Sequence, residues 1–169
     1  MHKLTALTAG MLLASCGATT VEIRQPIVCA ISPAVVFVPT ARGVSAVLPV
    51  DLSSAQAADE ASAVSAELVS ATIAARNGQA LGFAHSARVT AMPVAFAIDD
   101  TAKTVVSDGA PSSVQGGIVS VDGNGANLLP AVTQGRTAIA IDLEGAPPKF
   151  GFWADVSVCV GLQSRDAEN

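Results

Sequence analysis

Thr137-Ala138-Ile139-Ala140-Ile141-Asp142-Leu143-Glu144 sets the fold class. Thr137, Ile139, Ile141 and Leu143 share one parity, and Ala138, Ala140, Asp142 and Glu144 hold the other. Side chains alternate across a strand, so this spacing buries one face and leaves small and acidic groups on the opposite one. Downstream, Gly145 to Pro148 turns the chain and the pattern resumes. Phe150, Phe152, Val156, Val158 and Val160 line one face there; Trp153, Asp155 and Cys159 fall on the other.

Upstream the strand signals are shorter. Ile118 to Val121 is followed by Asp122-Gly123-Asn124-Gly125, a hairpin signal, with Ala126 to Val132 expected to pair back. Lys103 to Ser107 precedes the turn letters Asp108-Gly109-Ala110-Pro111. Met92, Val94, Phe96 and Ile98 alternate with Ala91, Ala95 and Ala97 until Asp99-Asp100. Nearer the start, Ile27 to Ile31 reads as a first strand, interrupted by Pro33 and resumed at Ala34 to Val38. Pro39-Thr40-Ala41-Arg42-Gly43 turns it into Val44 to Leu52, where Pro49 implies an edge or a bulge.

One stretch differs. Ser53 with Gln56 fits a capping box, and Asp59 and Glu60 suit a helix start. Ala61, Val64, Leu68, Ala71 and Ala75 fall at helical spacing, and Asn77-Gly78 is a left-handed stop after Arg76. The expected fold is therefore mainly β: a β-sandwich or barrel-like antiparallel sheet with one inserted helix over 53–76. An α+β two-layer arrangement is the alternative.

The first residues carry an address. Lys3 precedes an apolar run from Leu4 to Ala14, about half the roughly 20 residues a spanning helix needs. Leu13-Ala14-Ser15-Cys16 closes it and resembles the lipobox of bacterial lipoproteins. The resemblance implies cleavage before Cys16 and acylation of that cysteine, so that the domain meets the membrane through a lipid anchor. In the Gram-negative class an aspartate after the cysteine retains the protein at the inner membrane. Gly17 stands there instead, which implies the outer membrane with the domain in the periplasm. The expected organisation is a signal peptide over 1–15, a lipidated tether over 16–26, one β-rich domain over 27–162 and a polar tail over 163–169.

Cleavage would remove Lys3 from the 9 basic residues and leave 8 against 14 acidic ones, a net of −6. That balance argues against nucleic acid and against an electrostatic grip on anionic lipid. Besides Cys16, Cys29 and Cys159 lie near the two ends of the domain. In an oxidising compartment they either form a long-range disulfide or remain two separate buried thiols.

Catalytic letters are sparse. His85, beside Ser86, is the one histidine after the signal, and no Gly-x-Ser-x-Gly elbow occurs. A lone histidine does not supply the three or four N or S ligands of zinc. Asp142 and Glu144 are a same-face carboxylate pair of the kind glycoside hydrolysis employs, but aromatic residues are few. Asp122, Asn124 and Asn127 place oxygens as calcium loops do, without the distal glutamate; a type I′ turn explains the same letters. Gly116-Gly117 lacks the strand-to-helix setting of a phosphate loop. No cofactor is expected.

The leading expectation is a non-catalytic outer-membrane lipoprotein that binds or braces another envelope component. The alternatives are a lipoprotein of a phage or prophage lysis region, and an envelope hydrolase using Asp142, Glu144 or His85.

Overall fold

The computed structural model describes residues 27–51, 63–93, 103–129, 137–146 and 148–164. The expected signal, the expected lipidation site Cys16 and the expected tether lie outside them. The described elements are β1 (Ile27–Pro39), β2 (Gly43–Val50), β3 (Ala63–Ala75), β4 (Ser86–Pro93), β5 (Thr104–Gly109), β6 (Ser113–Gln115), β7 (Ile118–Asp122), β8 (Thr137–Glu144) and β9 (Phe152–Ser164). They form one antiparallel sheet in the order β5-β4-β8-β2-β1-β9-β3-β7-β6. The sheet curls into a half-barrel. The mainly β, barrel-like expectation holds.

The alternations explain the core. In β8, Ile139, Ile141 and Leu143 are buried, and Ala140, Asp142 and Glu144 are half-buried on the outer face. In β9, Phe152, Ala154, Val156, Val158, Val160 and Leu162 point inward. Phe150 departs from expectation: it precedes the strand and is 81% exposed. β2 sends in Val44, Ala46, Leu48 and Val50, and β4 sends in Ala87, Val89 and Ala91. β4 overlaps the expected alternation of Ala91 to Ile98 only at Ala91, Met92 and Pro93. Of the face expected from Met92 to Ile98, only Met92 lies among the described residues, and it is buried on the parity opposite Val89.

The inserted helix is corrected. Residues 63–75 are strand β3, held between β9 and β7; residues 52–62 lie outside the described ones. The cause is a bulge. Leu68 pairs with Val160 and Ser70 with Cys159, so Val69 is extra and the inward parity shifts. Buried Ala66 and Leu68 are followed by buried Ala71 and Ile73. The three-residue step across the bulge copies helical spacing. Val69, Thr72 and Ile73 are β-branched, and a place between two strands overrides weak helical propensity. Asn77-Gly78 does use left-handed backbone, at φ 58° and 72°, with the Gln79 N–H donating to the Arg76 carbonyl at 3.3 Å. It is a type I′ turn rather than a helix stop.

The 122–125 hairpin is also corrected: β7 pairs with β3 and with β6, and no strand over 126–129 pairs back onto it. The loop bonds to β3 and β5 instead. The Gly123 N–H donates to the Val69 carbonyl at 3.4 Å and the Asn124 N–H to the Val106 carbonyl at 2.9 Å. The loop thereby ties β3 to edge strand β5. A Cβ at Gly123 would collide with the Leu68 carbonyl oxygen, so only glycine lets the chain cross here. Gly116-Gly117 makes the turn between β6 and β7, with Gly116 at φ 58°.

β1 carries the seam of the fold. Val38 and Pro39 pair with Ser45 and Val44 of β2, whereas Ile27 to Phe37 pair with β9. The register shifts between Ser32 and Val35, where Ala34 takes φ 54° after Pro33. Beyond Ser45, β2 diverges from β1, and Pro49 sits on that free side without an N–H to leave unpaired.

Candidate functional site

Four arrangements can be built from the sequence candidates and their surroundings. The first lies on the outer face of β8 and β4. Register places Arg88 opposite Asp142 and Ser86 opposite Glu144, and Arg88 also faces Asp108 of β5. Arg88 Nη2 donates to Asp108 Oδ2 at 2.9 Å. That hydrogen bond and the Asp108 charge raise the guanidinium pKa, with smaller contributions from Glu144 and Asp142. The two candidate acids therefore flank a cation in an open depression that Arg42 and Thr40 also line.

His85 comes close to this row. Its N–H donates to the Glu144 carbonyl at 2.9 Å, and its side chain is exposed. Among the described residues no hydrogen bond joins its ring to Asp142 or Glu144, and no cluster of three His, Cys, Asp or Glu is placed to hold a metal. A glycosidase acid is kept protonated by apolar surroundings. These carboxylates sit on an outer face beside Arg88, in an open depression that Arg42 and Thr40 also line.

The second arrangement is the 122–127 loop. Asn124 Oδ1 accepts the Ala126 N–H at 3.0 Å, and Asn124 Nδ2 donates to the Val105 carbonyl at 3.1 Å. Asn127 Oδ1 accepts N–H groups from Ala66 at 3.1 Å and Leu129 at 2.9 Å. Asp122 Oδ1 receives the Ser112 hydroxyl at 3.1 Å. The candidate calcium oxygens thus satisfy backbone and hydroxyl donors, and they fix the loop that joins β3 to β5.

The third is the disulfide. Cys29 and Cys159 stand directly opposite each other on β1 and β9, with Cα atoms 4.0 Å apart, and are bonded. They occupy the outer face, Cys29 exposed and Cys159 half-buried. Of the two arrangements open to these thiols, the structure contains the bridge, and neither cysteine is buried.

The fourth was not read from the sequence. The outward parity of β1 is apolar along its length: Ile27 is 57% exposed, Ile31 72%, Val36 44% and Val38 52%. Trp153 of β9 pairs with Val36 and is 51% exposed; Phe150 lies just before β9. No residue of β1 carries a charge. The signal was present in the letters, because a strand apolar on both parities buries only one face in a curled sheet. It went unseen because the break at Pro33 hid the second parity.

Nearby, Asp155 fastens the β1 bulge. Its Oδ1 accepts the Ala34 N–H at 3.0 Å and Arg76 Nε and Nη2 at 3.0 and 2.6 Å. The Arg76 bonds first, and then the Ala34 N–H, hold this carboxyl below the usual aspartate range.

Compared with known proteins, the chain matches no family model, no curated protein and no solved structure.

Proposed function

We propose that this chain is a non-catalytic outer-membrane lipoprotein, anchored by acylated Cys16, whose periplasmic β domain binds or braces another envelope component. The observation that carries the reading is the uncharged, outward-facing stripe of Ile27, Ile31, Val36, Val38 and Trp153. A contiguous exposed apolar surface on a folded domain marks a contact surface. The Leu13-Ala14-Ser15-Cys16 segment supports the anchor. Arg88 between its carboxylates, and the Asn124 and Asn127 oxygens given to backbone donors, support structural roles for the polar candidates.

The test is the intact mass of the protein from native membranes, followed by crosslinking from position 36 in whole envelopes. The expected mass is the chain from Cys16 plus diacylglycerol and an N-acyl group, taking up two alkyl groups only after reduction. A chain that retains Met1 and carries no lipid overturns the reading.

A further inference from the structure

We propose that the outer face of β1, together with Trp153, lies on the surface of the bilayer that holds the Cys16 anchor. This deepens the reading above and rests on it. Residues 16–26 span at most roughly 40 Å when fully extended. They deliver the chain at Ile27, which is the first residue of the apolar stripe. From there the stripe follows a strand of 13 residues, roughly 40 Å at the rise of an extended chain. A tether that ends at one end of such a stripe holds it within reach of lipid at high effective concentration, so a shallow apolar face suffices.

The chemistry of the face fits lipid better than a protein partner. Protein interfaces concentrate their affinity in a packed centre of aromatic and arginine anchors. Here the apolar groups form one narrow file along a strand, at Ile27, Ile31, Val36 and Val38, with Trp153 the one aromatic paired to it. In the row of Ile31 the outer positions on β9, β3 and β7 are Ser157, Thr72 and Ser120, neutral hydroxyls suited to a headgroup layer; in the row of Ile27, Glu67 of β3 stands two strands away, beyond Gly161. The acid nearest the stripe, Asp155, is paired with Arg76. An indole at the rim has its apolar ring and its N–H donor placed as an interfacial residue requires. Because β1 is uncharged, this contact works on zwitterionic lipid, and the acidic net charge does not oppose it.

Trp153 is the single tryptophan and the chain has no tyrosine, so its emission reports this face alone. The lipidated full chain is reconstituted into phosphatidylcholine vesicles, with and without brominated phosphatidylcholine. The Cys16→Ser full chain in solution is the reference. The expected result is emission at shorter wavelength than the reference, quenching by brominated lipid, and loss of quenching by aqueous iodide. The doubly substituted Ile31→Glu, Val36→Glu chain, altered only at exposed positions, is expected to stay lipidated and return Trp153 to iodide.

Two outcomes overturn the proposal while leaving the anchor standing. One is lipidated protein whose Trp153 remains as open to iodide as the reference. The other is Trp153 shielded only after envelope proteins are added, which assigns the face to a protein partner. A mass that shows no lipid on Cys16 overturns both readings.

Discussion

The two halves of β1 are held in different ways. In the second half, Val35 to Phe37 pair with β9 and Val38 and Pro39 with β2, and Phe37 is fully buried and stacked on Phe152 at 5.2 Å between ring centroids. Ile27 to Ser32 pairs with β9 alone among the described residues; Val28 and Ala30 are only partly buried, and the strand is stapled by Cys29–Cys159. One half is secured by packing, and the other by a covalent bond across a single ladder. The bulge at Pro33-Ala34 separates them, so each can be weakened without first disturbing the other.

The largest expected effect is removal of the staple. The bridge spans 130 residues, and in the chain-entropy model such a loop contributes about 4–5 kcal/mol. Cys29→Ser with Cys159→Ser is expected to lower the unfolding free energy, measured by chemical denaturation, by most of that amount. Amide exchange is expected to rise first at Val28, Ala30 and Ser32, while Phe37 stays protected until global unfolding. Equal loss of protection in the two halves would show that β1 opens as one unit and would erase the contrast.

Truncating the packed half comes next. Phe37→Ala deletes a fully buried ring and leaves Phe152 without its stacking partner, at a cost of about 3–5 kcal/mol. Chemical denaturation of the oxidised chain measures it. The comparison sharpens if exchange now rises at Val35 and Phe37 but not at Val28, because the staple still holds the first half.

This contrast also explains what could be read from the letters. β8 and β9 were legible because their alternation is unbroken, with one face of each in the core. β3 was not, because the extra residue at Val69 converts a period of two into a step of three. The Asn77-Gly78 letters gave the correct backbone handedness and the wrong element, since left-handed residues serve helix ends and type I′ turns alike. The same ambiguity hid the loop at Asp122. Its glycine answers a close approach to Leu68, which comes from a strand far away in sequence. The Cys29–Cys159 pairing needed the register of β1 against β9, which no local pattern encodes. The polar candidates were visible as letters, but Arg88 and Asp108, which set the surroundings of Asp142, come from other strands.

The joint between the halves gives a smaller effect of opposite sign. Ala34 adopts φ 54°, where a Cβ is strained. Ala34→Gly relieves this and is expected to stabilise the domain by about 1 kcal/mol, less the added freedom of glycine in the unfolded chain. A higher thermal midpoint checks it. A lower one would mean that the alanine methyl packs usefully at the bulge.

The smallest expected effect is electrostatic and belongs to the same joint. Asp155 holds Ala34 and Arg76 together, and its folded pKa is lowered. A carboxyl with a depressed folded pKa adds stability above its unfolded pKa of about 3.9, and loses it as pH falls through the folded value. Asp155→Asn keeps an acceptor for the Ala34 N–H and removes the charge that Arg76 meets. The variant is therefore expected to be slightly less stable than the parent at neutral pH, by an equal margin across the range where both chains are otherwise unchanged. That margin should close below the ordinary aspartate range, where the parent carboxyl is protonated too. Because the pair is open to solvent, added salt should shrink the margin at neutral pH. Asp155→Ala removes the acceptor as well, so its additional loss should persist in acid and should be smaller in the Ala34→Gly background. A margin unchanged by pH or salt would assign Asp155 to geometry alone, leaving the two halves of β1 joined by a hydrogen bond rather than by a charge.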